Sequence, residues 1–542
     1  MKNYIFYAER YIICIIISFS LLNINSTSNA QESPSTFGDF PFESSLYGTT
    51  QPSFITVSSG AVSFTNQGIQ LTDNIQNQFG GVYINDRRFK SINGIIVEFE
   101  YMMHGGGTSG GDGMSMFLFD ASVNTPAIGA AGAAIGYGYN SGSSGKKKGL
   151  TGAYLGVAFD SFGNHNQVRW EGISNQSGIP FLGNPNGIDK IAGAVDANYN
   201  VKDEVVLRGA KNGELTASRP STGTSRLEEG YSGYPVLISQ SPYYAKGIIM
   251  EDNDSAYYTP ITPSYSGRQF SISGNGTFTK PTDDNYRKAI VELFPAEDND
   301  GGGFYVTVSI QHNKGTDVII DEYHYKQKFY YRENIMLFSP YSKALDTWQP
   351  VFEMDATVPE FLRIGFAAST GVATNYNVVK NVHIRLPRAA EAYNDSIEIH
   401  PTQTASISPY GNDIAYDGLI RKIQSGHKQN INPREFRFVD NNVVIALNAG
   451  DTFIEHTNSQ GVWRYDVSTK QVTFKPADGF KGEAKIEYDI KGKEDLSPNA
   501  GPYHDEAYRS MRADIVINVT EKALPSRRVL TSNKMVTGKP RK

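Results

Sequence analysis

Short apolar runs broken by Gly, Asn and Asp recur along this chain from about residue 54. Phe54-Ile-Thr-Val, Ala61-Val-Ser-Phe, Gly68-Ile-Gln-Leu-Thr72 and Gly81-Val-Tyr-Ile are each strand-length and end in turn formers. A longer strand is expected over Gly94-Ile-Ile-Val-Glu-Phe-Glu-Tyr-Met-Met. Met114-Ser-Met-Phe-Leu-Phe119 and Tyr154 to Phe159 are apolar on both faces, as central strands packed between layers should be. Val201 to Arg208, Tyr286 to Leu293, Phe304 to Ile310, Asp317 to Asp321, Leu362 to Ala367 and Val378 to Leu386 continue the series. Few segments repeat with helical period. The pattern predicts an all-β protein whose first domain is a large antiparallel sandwich ending near Pro387.

The segment Glu214 to Asn285 interrupts the series. It is rich in Ser, Thr, Tyr, Pro and Gly with weak periodicity, and reads as an insertion or large loop system at about 214–285. Residues 388–394, beginning Arg388-Ala-Ala-Glu-Ala-Tyr, read as a linker. A smaller immunoglobulin-like β-sandwich is expected over 395–520. It ends in clean alternation at Gln471-Val-Thr-Phe-Lys, Ala484-Lys-Ile-Glu-Tyr-Asp-Ile and Ala513-Asp-Ile-Val-Ile-Asn-Val. Residues 521–542 form a basic, polar tail, expected to be disordered.

Composition changes this picture in three ways. At 542 residues the chain is long enough for two or three domains, and its 53 Gly and 32 Tyr suit β structure. A net charge of −6 argues against nucleic acid as a partner. Lys2 and Arg10 precede an apolar run, Tyr11 to Leu22, and Ser28-Asn29-Ala30 suits signal peptidase. Residues 1–30 therefore read as a signal peptide, with a retained anchor as the alternative. The one cysteine, Cys14, lies inside that run, so the processed chain would hold no thiol. An exported, cysteine-free β protein points to secretion or a bacterial cell surface, with envelope association. No signal for oligomeric state is readable.

The candidate chemistry centres on Tyr154-Leu-Gly-Val-Ala-Phe-Asp-Ser-Phe-Gly-Asn164. A buried strand there ends in Asp160, a turn and Asn164, a mouth suited to a hard cation or a polar ligand. Three other segments could reach the same sheet edge: Gly105-Gly-Gly-Thr-Ser-Gly-Gly-Asp112-Gly, Gly129-Ala-Ala-Gly-Ala-Ala-Ile-Gly-Tyr137 and Ser369-Thr-Gly-Val-Ala-Thr-Asn-Tyr-Asn377. Taken singly, each is equally an ordinary turn, with Asp160 and Asn164 as its caps.

Their order resembles that of the L-type (legume-like) lectins, especially bacterial surface members. The likeness rests on Gly68-Ile-Gln-Leu-Thr, Gly-Asp112-Gly-Met-Ser-Met-Phe, Leu155 to Asn164, and Ile364-Gly-Phe-Ala-Ala-Ser-Thr-Gly, within roughly Phe37 to Pro387. It implies a concanavalin A-like jelly roll that binds glycans or polysaccharide. By the same likeness Asp112 accepts from sugar hydroxyls, and the Gly132–Gly136 loop, with Ala133, donates a backbone N–H. Phe162 packs on the sugar ring, Asn164 serves sugar and metal, and Thr374 and Asn375 lie in the specificity loop. Calcium would be held by Asp160, the Phe162 carbonyl and Asn164. No transition metal is expected, because Ala158 stands where the plant pattern has Glu. The second metal Asp is also missing from His165-Asn166-Gln167-Val168, which should lower calcium affinity.

Gly461 to Gly482 resembles the repeat of CshA-type bacterial fibrillar adhesins, with Trp463, Phe474 and Phe480 as core residues and a spacer role implied. Gly411 to Gly418 reads as a polar turn, with a calcium loop as the alternative. An enzyme on the first sandwich would need clustered carboxylates, as in Glu-x-Asp-x-x-Glu. Glu98 and Glu100 offer two of the three in a framework segment. The runs Glu251–Asp254 and Glu297–Asp300 lie in polar loops, and no Gly-x-Ser-x-Gly elbow precedes a helix. His104 and His165 read as incidental. The leading expectation is thus a carbohydrate-binding surface adhesin and not an enzyme. A polysaccharide-active enzyme and a structural sandwich are the alternatives.

Overall fold

A computed structural model describes residues 41–106, 110–139, 147–166, 202–211, 233–250, 258–260, 265–332, 351–416, 428–493, 506–521 and 529–531. Residues 1–30, read above as a signal peptide, lie outside them. Helix among the described residues is confined to three-residue 3-10 turns such as Ser91–Asn93 and Gly132–Ala134.

Two large sheets make the first sandwich. One has eight strands in the order Gly315–Tyr325, Phe304–His312, Lys288–Pro295, Ile95–His104, Tyr376–Arg385, Gly68–Thr72 and Ser63–Thr65, with Phe42–Ser44 also on Tyr376–Arg385. The other has ten, in the order Tyr258–Pro260, Lys246–Met250, Val236–Ser241, Glu204–Arg208, Ala153–Asp160, Gly113–Asp120, Phe361–Ser369, Phe79–Ile84 and Ile55–Gly60; Phe89–Lys90 joins Phe361–Ser369. Every pairing within both sheets is antiparallel. Aromatic rings join the sheets. Phe99 meets Phe159 edge-on at 5.8 Å and Phe366 at 5.1 Å, and Tyr101 lies 5.0 Å from Phe159. Such pairs each add about 0.5–1.5 kcal/mol beyond their buried area.

Two expectations need correction. Part of the 214–285 region is sheet: Val236–Ser241 and Lys246–Met250 extend the ten-stranded sheet beyond Glu204–Arg208. Their buried Ser239, Gln240 and Ser241 broke the apolar pattern that would have marked a strand. The basic tail contributes Val529–Thr531, antiparallel on Asp395–Ile399.

The second sandwich pairs a six-stranded sheet with a four-stranded one. Asp395–Ile399 runs parallel to Ala513–Val519, an exception to the otherwise antiparallel pattern. Trp463 and Phe474 are fully buried and 4.2 Å apart, as expected of core residues, while Phe480 is only partly buried against them. The linker is densely bonded. Arg385 reaches Glu98 at 3.5 Å and Glu391 at 3.7 Å, and Glu391 accepts the hydroxyls of Tyr416 and Tyr393. Burial alone would raise Glu98, but the charges of Lys288 and Arg385 override it and hold the carboxyl near 2.

A pair of buried carboxyls in the second sandwich has no such cations beside it. Asp395 and Asp413 are 2% and 1% exposed, and the Tyr488 hydroxyl lies 3.2 Å from Asp395 Oδ2 and 3.0 Å from Asp413 Oδ1. Burial lifts Asp395 to about 7 and Asp413 well above the carboxylate range. The protonated form is therefore the one the fold favours. Its contribution is complete below the ordinary Asp pKa of about 4 and is lost as pH rises through about 7. Unfolding of this sandwich, followed by Trp463 fluorescence, should show stability falling between pH 5 and pH 8 by on the order of 3 kcal/mol. Asp395→Asn should flatten that profile.

Candidate functional site

Three adjacent strands end level with one another. Gly113 is in register with Asp160 on one side and with Ser369 on the other. Asp112, one residue before Gly113, thus sits between the loops that leave those two strands. Gly113 has φ +155°, and a Cβ there would lie 2.4 Å from the Phe159 carbonyl, so the close approach requires glycine.

Asp112 is tied on every side. Its N–H donates to the Ser369 carbonyl at 2.8 Å, and its carbonyl accepts from Phe162 N and Ser161 Oγ, both at 3.1 Å. The Ser369 hydroxyl lies 3.3 Å from Asp112 Oδ2 and accepts Gly132 N–H at 2.7 Å. The side chain is 5% exposed. Gly371 lies close against this carboxylate, since a Cβ there would come within 3.2 Å of Oδ1. Phe162 is half-buried beside it, with Gly111 packed so closely that an added Cβ would be 3.0 Å from the Phe162 and Ala373 Cβ atoms.

The loop after Asp160 closes around that residue. Asp160 Oδ1 accepts from Phe162 N at 3.1 Å and Gly163 N at 2.7 Å, and Oδ2 accepts from His165 N. His165 is fully buried; its Nδ1 meets the Ala133 carbonyl, and its own carbonyl accepts Arg208 Nε at 3.0 Å. His165 is therefore a structural pin between two loops. Burial lifts the Asp160 carboxyl to about 7, with the Asp112 charge adding to the rise and the N–H donors opposing it.

The other expected residues divide. Gly132, Ala133 and Gly136 do come to this edge. The Gly132 N–H is committed to Ser369, however, and the Gly136 N–H to the Ala130 carbonyl at 2.8 Å, so neither is the ligand donor expected of that loop. Ala133 supplies its carbonyl to His165. Asn375 is 1% exposed and its amide holds framework: Oδ1 accepts Gly106 N at 3.2 Å and Nδ2 approaches Ser161 Oγ at 3.5 Å. Thr374 is half-buried, whereas Val372 in the same loop is 86% exposed. Asn164 is 3% exposed and its Oδ1 has no hydrogen-bond partner. Ser369, Gly371, Arg208 and Glu204 were not singled out from sequence. Ser369 and Gly371 lay inside a quoted loop, but nothing local marks which of its residues face Asp112.

No family model matches the sequence, and no curated protein matches it. Solved structures with a similar course of chain include three lectins. The exoplasmic/lumenal domain of VIP36, in a form bound to Ca2+ and Man3GlcNAc, shares 10% identity over 63% of this chain and 87% of that one, with a TM-score of 0.29. Lectin I-B4 of Griffonia simplicifolia, metal-free, shares 12% over 63% and 97%, with a TM-score of 0.29. The Bauhinia forficata lectin, in complex with GalNAc, shares 12% over 63% and 96%, with a TM-score of 0.28. Overlaps this slight carry no argument. The fold assignment rests on the strand orders and registers above.

Arg208 ties the Asp160 loop to the next strand pair, since its guanidinium holds the His165 carbonyl and also donates to the Tyr234 carbonyl at 2.7 Å. Arg208→Met should leave both buried carbonyls short of a donor and cost about 2–4 kcal/mol in guanidinium unfolding. Faster amide exchange should appear at Phe162, Gly163 and His165.

Proposed function

We propose that this chain is a carbohydrate-binding protein that takes its sugar at the Asp112 edge of the ten-stranded sheet. The observation that supports this reading is the pairing of a rigidly held carboxylate, approached closely by Gly371, with the half-buried ring of Phe162 beside it. A carboxylate accepts from two neighbouring hydroxyls at once, and an aromatic face covers the apolar C–H face of a pyranose. Val372, exposed on the adjoining loop, is the residue best placed to discriminate between sugars.

Calcium suits the donors next to this edge. Among the described residues no three His, Cys, Asp or Glu side chains cluster to hold a metal, so the ion would rely partly on amide and carbonyl oxygens, as calcium does. Asp160, Asn164 through its unpartnered Oδ1, and the Phe162 carbonyl would hold it. The ion would supply a fixed positive charge that orients Asn164 and stiffens the 160–166 loop. The chain is read as exported, a surface adhesin in which the second sandwich spaces the first from the envelope. It is not read as an enzyme.

Glycan-array binding with and without chelator tests the proposal. Asp112→Ala should lower affinity for the bound glycan at least a hundredfold, and Gly371→Val should do the same by crowding the carboxylate. Chelator should weaken binding by the wild-type chain. Depolymerisation of the glycan would favour a polysaccharide-active enzyme, and absence of both binding and turnover would favour a structural role.

A further inference from the structure

Glu204 lies directly opposite Asp160 across the antiparallel pair, so both side chains leave the same face of the sheet, with Cβ atoms about 5 Å apart. Both residues are buried, Glu204 at 1% and Asp160 at 0% exposure. Two carboxyls that close in so little solvent are mutually unfavourable unless something positive or a shared proton lies between them. Arg208, the cation two places along the same face, directs its guanidinium to the His165 and Tyr234 carbonyls.

The surroundings of Glu204 are oxygen-rich. Asn166 donates its Nδ2 to Glu204 Oε1 at 3.2 Å, which leaves Asn166 Oδ1 without a partner. Glu204 Oε2 has none either. Ser239 sits diagonally from Glu204 on the next strand, and its hydroxyl is near enough to donate weakly toward that carboxyl, though outside ordinary hydrogen-bond geometry. Asn164 Oδ1, four residues past Asp160, has no partner. These four residues are 6%, 1%, 1% and 3% exposed, in the order named. Buried polar atoms are almost always hydrogen-bonded, so the orphaned oxygens of Glu204 and Asn166, with a third on Asn164 in the same loop, need an explanation. A water could donate to such oxygens, but two facing buried carboxyls also call for positive charge between them.

We infer that Glu204, delivered by the neighbouring strand, is the second carboxylate of a calcium site shared with Asp160 and Asn164, and that Asn166 is a further ligand. The inference rests on the calcium part of the reading above and is independent of the sugar part. It also removes the shortage of charge that the sequence after Asn164 implied. The missing acid is supplied across the sheet, 44 positions from Asp160, and not along the loop. Two carboxylates with amide oxygens form a hard, flexible donor set that suits calcium better than magnesium or zinc.

The test is direct calcium titration of the whole chain by calorimetry, with thermal unfolding in EGTA and in millimolar calcium. The wild type should bind one calcium and gain Tm, and magnesium at the same concentration should not substitute. Glu204→Gln should weaken calcium at least tenfold and largely abolish the Tm gain. The same variant in EGTA should unfold at or above the wild-type temperature, because the acid facing Asp160 has been replaced by a neutral amide. Asn166→Asp, adding a third acid, should tighten calcium and lower the Tm in EGTA. Asp112→Ala should keep calcium while losing the glycan, which separates this site from the sugar site. Calcium affinity unchanged in Glu204→Gln would overturn the assignment. So would a wild type that binds glycan but no calcium, leaving the sugar reading intact, or a Glu204→Gln chain destabilised equally with and without calcium.

Discussion

The level ending of three strands at Gly113 is the constraint on which the site depends. Hydrogen-bond register is discrete, and a slip of one residue would turn Asp160 inward against Phe99 and Tyr101 and turn Phe159 outward. The rings of Phe99, Tyr101, Phe159 and Phe366 interlock between the sheets and forbid that slip. Once register is fixed, Asp112, Ser369 and Asp160 have no freedom in where they stand. Their loops are short enough that a few hydrogen bonds complete the arrangement.

Buried acids are handled in two ways within this fold. Glu98 is matched by Lys288 and Arg385, and it is ionised throughout the ordinary pH range. Asp160 with Glu204, and Asp395 with Asp413, are acid pairs in which burial favours the neutral form. The first arrangement is framework, lying where the two sandwiches meet. The Asp395 pair is closed by the Tyr488 hydroxyl, which serves both acids. The Asp160 pair differs in that Glu204 and its neighbour Asn166 each keep an oxygen without a hydrogen-bond partner.

Much of the architecture was legible because central strands advertise themselves. Met114 to Phe119 and Tyr154 to Phe159 fall within the observed strands, and the Gly68–Thr72 run matches one residue for residue. Residues 236–250 were not legible, since a strand that buries Ser239, Gln240 and Ser241 imitates a polar loop. At the site, Asp112 and Asn164 could be picked out from motif order, as each sits beside glycines at a strand end. Glu204 could not. Its meaning is its register partner, and nothing in Val201-Lys-Asp-Glu-Val-Val names a residue so far upstream. Asn375 misled for a similar reason: a polar residue in an exposed-looking loop can point inward, and its amide holds the Gly105 turn from beneath.

The chain leaves the first sandwich through Tyr376–Arg385, an interior strand of the eight-stranded sheet flanked by Ile95–His104 and Gly68–Thr72. Arg385, its last residue, grips Glu391 just beyond. Tension applied from the second sandwich therefore runs along that strand as shear across two ladders at once, and does not peel an edge strand one bond at a time. Its other end, Tyr376, directly follows the loop that carries Gly371 and Val372. A pull on the second sandwich would thus be delivered, through ten residues of extended backbone, to the loop beside Asp112.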